Sequence, residues 1–275
     1  MASIKTTAFS IGIALAALGS TVLPSYALFG DSDQQRQERW QDLAKQLFDG
    51  RLPTPDDHAV KLDAPDRAQD AALVPITITL ANADNVKALY LVIDDNPSPV
   101  AAHFSFGPDA DPKEIKLRVR VNTYTDMHAV AVTKDGKLLQ TSRFVKASGG
   151  CSAPMGMSDE EAMNGMGEMK LKLAGDVAPN KPTEATLMIR HPNFNGMQMN
   201  QVTRQYTPAR YIQSIDVTYD DKQVFNLATD ISLASNPVIN FDFLPDAPKG
   251  SLKVDVKDSQ SSEWSKTFSV PNVSN

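Results

Sequence analysis

The alternation of apolar and polar positions changes character several times along the chain. Ala8 to Leu18 is a mostly apolar run, preceded by the lone charge of Lys5 and followed by Pro24 and the small-residue pattern Ser25-Tyr26-Ala27. That order predicts a secretory signal peptide over residues 1–27, cut after Ala27. The run is shorter than the roughly 20 residues a spanning helix needs, and no later stretch approaches that length. Residues 28–53 then read as one amphipathic helix, because Trp40, Leu43, Leu47 and Phe48 fall on one face of an otherwise polar segment. Ser32 and Gln35 are its expected capping pair, and Gly50 and Pro53 its stops.

From Leu73 the period becomes two. Val74, Ile76, Ile78 and Leu80 alternate, followed by Ala88 to Ile93, by Ile115, Leu117, Val119 and Val121, and by Ala129 to Thr133. Asp135-Gly136 marks a hairpin turn before Leu138 to Val145. Several short strands joined by such turns predict an all-β sandwich over 54–150. Strand patterns resume at Ala185 to Ile189, Ile212 to Tyr219, Val238 to Phe243, Leu252 to Val256 and Glu263 to Val270, with turns at Asp220-Asp221 and Asp258-Ser259. They predict a second sandwich over 183–275. Between the two, 151–182 reads as a Cys- and Met-rich linker with one short helix opened by the capping-box pair Ser158 and Glu161.

Composition is that of a globular protein, and the formal charge of −6 becomes one unit more negative once Lys5 is removed. Nucleic acid and anionic membrane are therefore disfavoured as partners, since both need basic surface. A single cysteine, Cys151, forms no internal disulfide. It is either a small buried hydrophobe, or free, or joined to something else.

Its setting is unusual. Phe144 to Cys151 runs from a strand end into Gly149-Gly150 and then the thiol. Glycine pairs have wide backbone freedom, so the expectation is a hinge that swings an exposed, partly ionised thiol away from the domain. The five residues after Lys146 would reach at most roughly 17 Å.

A competing chemistry lies in the methionines. Eight of the ten fall between Met155 and Met199, among them the pairs Met155-x-Met157 and Met197-x-Met199. Thioethers favour Cu(I), which makes these four a candidate copper set, whereas Met163, Met166 and Met169 also fit ordinary packing, the last two on one helical face. Elsewhere the chemical signals are weak. Gly30-Asp31-Ser32 lacks the strand-turn-helix context of a nucleophile elbow. His58, His103, His128 and His191 are dispersed without zinc spacing, and His191 before Pro192 reads as a turn residue. Asp94-Asp95 and Asp220-Asp221 read as solvated turns, and no phosphate loop or dinucleotide fingerprint is present. No cofactor and no enzymatic activity are expected.

Lys146-Ala147-Ser148-Gly149-Gly150-Cys151, within Arg143 to Pro154, resembles the carboxyl end of the cysteine-bearing subunit of the SoxYZ sulfur-oxidation carrier, as does Leu89 to Asp94 continuing into Asn96-Pro97. The later residues resemble the other subunit through Ile189-Arg190-His191-Pro192, Pro208 to Gln213 and Ser235-Asn236-Pro237. The fused order is similar to the SoxYZ-like carriers associated with quinoprotein dehydrogenases. This resemblance implies two immunoglobulin-like β-sandwiches in tandem, SoxY-like then SoxZ-like and packed on each other. It also implies a covalent attachment site at Cys151, a hinge at Gly149 and Gly150, and a carrier rather than an enzyme. Its implied location is the periplasm. The implied partners are oxidoreductases there, either sulfur-oxidation enzymes or a quinoprotein (methanol or alcohol) dehydrogenase, for which the protein could also be an accessory module without cargo. One departure is plain: the family's arm ends its chain, whereas here Ser152-Ala153-Pro154 follow and a second domain anchors the tether, with Pro154 stiffening it.

Overall fold

The computed structural model describes residues 31–201 and 203–270. The expected signal peptide, residues 1–27, lies outside the described residues, as does Gly30. No described helix is long and apolar enough to cross a membrane.

Helix α1 is Asp33–Leu47, and the expected capping box forms: Gln35 N donates to Ser32 Oγ, and Ser32 N donates to Gln35 Oε1. The N-terminal half continues as β1 (Thr54–Pro55), β2 (Val60–Asp63), β3 (Val74–Leu80), β4 (Val86–Ile93), β5 (Val100–Phe106), β6 (Ala110–Val119), β7 (Thr125–Thr133) and β8 (Leu138–Val145). Helix α2 (Asp159–Met163), opened by the Ser158 and Glu161 pair, leads into β9 (Met169–Ala174), β10 (Thr183–Ile189), β11 (Ile212–Tyr219), β12 (Lys222–Thr229), β13 (Val238–Phe243), β14 (Gly250–Asp258) and β15 (Glu263–Val270). Met166 and Met169 do not share a helical face: α2 ends before them, and Met169 is buried at the start of β9.

The fold is all-β and built as a sandwich of two sheets, each of which runs through both halves of the chain. One has nine strands in the order β1-β8-β7-β4-β5-β12-β11-β14-β15, and the other six in the order β2-β3-β6-β13-β10-β9. The seams are two antiparallel pairs. In the larger sheet β5 meets β12, with Phe104 opposite Leu227 and Phe106 opposite Phe225. In the smaller, β6 meets β13, with Lys116 opposite Asn240 and Asp111 opposite Asp242. Each half thus covers edges that the other would leave unpaired. A single apolar core crosses the seam, where the buried rings of Phe104, Phe225 and Phe241 meet edge to face at 5.5 and 4.9 Å between centroids.

A second, smaller core lies on the outer face of the larger sheet, where Trp40, Ala44 and Phe48 of the α1 region pack on Val92, Val130 and Leu138. Arg36 pairs with Asp126 and Arg39 with Asp95 at its rim. Beneath it, Trp40 stacks on His128 at 3.6 Å, and His128 Nε2 lies 3.2 Å from Asp94 Oδ2. Asp94 is therefore not a solvated turn residue; the helix roofs it over, and burial raises its pKa.

At the seam of the smaller sheet, Asp111 and Asp242 face each other as like charges, an unfavourable cross-strand pair. Burial first, then Asp111, Glu184 and Glu114, push the Asp242 carboxyl up to about 6. A raised folded-state pKa means the folded protein holds this proton more tightly than the unfolded chain. The stability it contributes is present at acid pH and is lost as pH rises from about 4 to about 6. Asp242→Asn is expected to stabilise the protein at pH 7.5 by about 1 kcal/mol, after allowance for solvent screening, and to do little at pH 4. Thermal melts at the two pH values check it.

Candidate functional site around Cys151

Strand β8 ends at Val145, and the chain crosses towards the C-terminal half through a tight turn. Ser152 N and its Oγ both donate to Gly149 O, at 3.1 and 3.2 Å, which closes the turn around Gly150 and Cys151. Gly149 takes φ +72°, a region that strains residues with a Cβ. Gly149 N donates to Asn122 O at 2.7 Å and Gly150 N to Val121 O at 3.1 Å, so the turn lies along the segment just after β6. Gly150 is required by contact rather than by φ: a Cβ there would sit 2.0 Å from Ala71 O and 2.5 Å from Val121 O.

This geometry corrects the expectation of a freely exposed thiol on an open joint. Cys151 is fully buried, and the glycine pair is hydrogen-bonded into the body of the protein. Burial pushes the thiol pKa up to about 11, against a smaller downward pull from Arg120. In this docked arrangement the thiol is protonated at neutral pH and a poor nucleophile.

The C-terminal half supplies the other wall. Asn195 Nδ2 donates to Cys151 O at 2.6 Å, and Gln198 Nε2 to Ala153 O at 3.2 Å. Both belong to the loop between β10 and β11, which is shaped largely by side-chain amides and turns. His191 Nδ1 accepts from Asn193 N, Asn193 Nδ2 donates to Ala234 O, and Asn193 Oδ1 accepts from Ile212 N. Arg210 holds the loop's far end through Asp258 at 2.7 Å. His191 is thus a fully buried loop residue, and Asn195 is presented from a hydrogen-bonded base.

Arg120 lies directly under the turn and is 1% exposed. Its backbone is tied to the C-terminal half, with Arg120 N donating to Ser232 O and Asn96 Nδ2 donating to both Arg120 O and Ser232 Oγ. Its guanidinium reaches up: Nη1 donates to Gly150 O at 3.4 Å, and Nη2 lies 3.8 Å from Met155 Sδ. Burial lowers its pKa, while nearby Cys151 and Asp70 raise it.

The methionines of the candidate copper set do not all converge. Met155, Met157 and Met199 line one cavity of about 700 Å³ together with Pro154, Asp159 and Gln198, and Met197 is outside that lining. The guanidinium against Met155 Sδ opposes a metal cation at the same sulfur. Among the described residues, no group of three His, Cys, Asp or Glu side chains is placed to hold a metal.

Arg120, Asn195 and Gln198 were not singled out from the sequence. Arg120 follows the alternating run Ile115, Leu117, Val119 on its polar parity, where a solvent-facing cation is the ordinary expectation; the docked turn is what covers it.

Comparison with known proteins places the chain in a family. Residues 44–151 match the model of the sulfur oxidation protein SoxY, and residues 171–269 that of the sulphur oxidation protein SoxZ. The SoxY match ends on Cys151 itself. No curated protein matches the chain. Among solved structures, it is similar to the sulfur carrier protein SoxY from Chlorobium limicola f thiosulfatophilum, at 28% identity over 41% of this chain and 94% of that one, with a TM-score of 0.35. A superoxide reductase (neelaredoxin) from Ignicoccus hospitalis aligns at 12% identity over 34% of this chain and 94% of that one, with a TM-score of 0.31. The assignment rests on the two family models, which occur in order and together take in most of the chain: this protein belongs to the SoxYZ-like sulfur-oxidation carriers, with a SoxY domain and a SoxZ domain fused in one chain.

Proposed function

We propose that the protein is a periplasmic covalent carrier that binds a sulfur-containing or other electrophilic group on Cys151 and presents it to partner oxidoreductases. The observation that carries this reading is the position of the lone cysteine, at the end of the SoxY match on a glycine pair whose few polar contacts hold it closed. A thiolate is the nucleophile in such a loading step: its sulfur attacks the electrophilic centre, the displaced group leaves with the bonding electrons, and the thiol proton goes to water.

Loading requires the turn to open. Gly149 N, Gly150 N, Asn195 Nδ2 and Gln198 Nε2, with Arg120 Nη1 at a longer distance, are donors that hold it to the body, at roughly 0.5–1.5 kcal/mol each net. Opening therefore costs a few kcal/mol, within the range of local unfolding in a stable protein. Once open, the thiol returns towards its ordinary pKa and reacts. The two-ended tether, continuing through Pro154, keeps this excursion short, so the partner has to approach the seam between the domains.

The test is reaction kinetics with a neutral thiol reagent under native conditions. One equivalent is expected to react, slowly, with a rate that levels off at high reagent concentration as opening becomes limiting, and Cys151→Ser is expected to abolish it. A thiol that stays inert until global unfolding contradicts the reading.

A further inference from the structure

Arg120 is a buried cation served only by neutral acceptors. Its guanidinium donates to Gly150 O and approaches Met155 Sδ, and its Nε has no hydrogen-bond partner among the described residues. No described carboxylate lies within ion-pair distance; Asp70 acts on it through space while accepting from Ala72 N. A buried charge without a counter-charge is costly. The group that the fold sets beside it is the Cys151 turn.

We propose that Arg120 is an anion-recognition residue for whatever Cys151 carries, so that the turn docks more tightly over an adduct bearing a negative charge than over the free thiol or a neutral adduct. This deepens the carrier reading and rests on it. The bare thiol does not supply the charge in the docked state, because its burial outweighs the pull of Arg120 and keeps it protonated. A strongly acidic group, such as a sulfonate on the outer sulfur of a disulfide-linked adduct, stays ionised there and offers oxygen acceptors to Nε and the Nη atoms. Arg120 would thus tell a carrier loaded with an anionic group from an empty one.

Two small adducts test this in the full chain. With tetrathionate, the Cys151 thiolate attacks a central sulfur; the central S–S bond breaks and thiosulfate leaves with the electron pair. Cys151 keeps an S–SO3⁻ group, and tetrathionate is the oxidant. With methyl methanethiosulfonate, Sγ attacks the sulfenyl sulfur and methanesulfinate leaves with the pair, so that Cys151 carries a neutral S–CH3 group. Dithiothreitol then removes each adduct, being oxidised to its cyclic disulfide, and the release rate in denaturant divided by that in native buffer gives a protection factor. In the wild-type protein the anionic adduct is expected to be protected about tenfold more than the neutral one. Arg120→Lys should keep that ordering, and Arg120→Gln should lose it while still protecting the neutral adduct. Equal protection of both adducts in the wild type, or an ordering that survives in Arg120→Gln, overturns the role of Arg120 and leaves the carrier reading standing. Failure of either reagent to modify Cys151 in the native protein overturns both.

Discussion

Gly150→Ala is expected to raise the rate at which Cys151 reacts with a neutral thiol reagent at pH 7.5 by about 100-fold, the factor that corresponds to removing about 2.7 kcal/mol of the cost of opening the turn. The added Cβ would lie 2.0 Å from Ala71 O and 2.5 Å from Val121 O, both backbone atoms of packed segments that cannot give way by a side-chain rotation. Relief comes most cheaply by lifting the turn, which forfeits the bonds from Gly149, Gly150, Asn195 and Gln198 and returns the thiol to water. Stopped-flow labelling with an uncharged disulfide reagent measures it. Circular dichroism should show an intact sandwich, because the substitution lies outside both cores. An unchanged rate with an unchanged fold would mean that the turn does not control access to Cys151.

Phe225→Ala carries the largest expected effect on stability, about 3–5 kcal/mol and hence a fall in melting temperature of about 10 °C. Phe225 is 1% exposed and its ring bridges Phe104 of the SoxY domain and Phe241 of the SoxZ domain. The loss should lower the unfolding of both domains together, since both sheets and the main core run through the seam. Calorimetry and denaturant titration read this as one cooperative transition moved downward. Two separate transitions, with only one of them moved, would show that the domains are energetically independent despite their shared sheets.

Most of the fold was legible as pattern, and what escaped has a common cause. Strands such as β3, β13 and β11 from Ile215 onward bury one face and alternate, so their period of two is visible. The two seam strands of the larger sheet, β5 and β12, do not behave this way. Buried Ala101 and Ala102 are adjacent in β5, as are Val224 and Phe225 in β12, so neither shows clean alternation. In the larger sheet the join was thus carried by segments with a weak periodic signal, whereas in the smaller sheet β6 and β13 alternate and only their pairing across the two halves is non-local. Strand β9 was hidden differently. Its alternating Met169, Leu171 and Leu173 follow a glycine- and methionine-rich stretch whose composition reads as a connection.

The site shows the same division between what is local and what is not. Cys151 and its glycines stand out in the sequence because their chemistry is rare there. The walls that close over them come from residues far away, Ala71, Arg120, Asn195 and Gln198, each unremarkable in its own stretch. A glycine pair reads equally as freedom to move and as room for close approach. Here the positive φ of Gly149 and the backbone against Gly150 show that the docked turn itself demands both residues. The same two positions can serve an opened arm, and that is why the carrier reading predicts a slow, opening-limited thiol rather than an idle one.

A group held covalently on Cys151 in the cell would be visible in the intact mass of the protein purified without reductant from its native compartment. A population heavier than the unmodified chain is expected, with the added mass confined to the peptide containing Cys151, removable by dithiothreitol where the link is a disulfide, and absent in Cys151→Ser. A single species at the unmodified mass, under conditions in which its partner enzymes are expressed, would contradict the carrier reading.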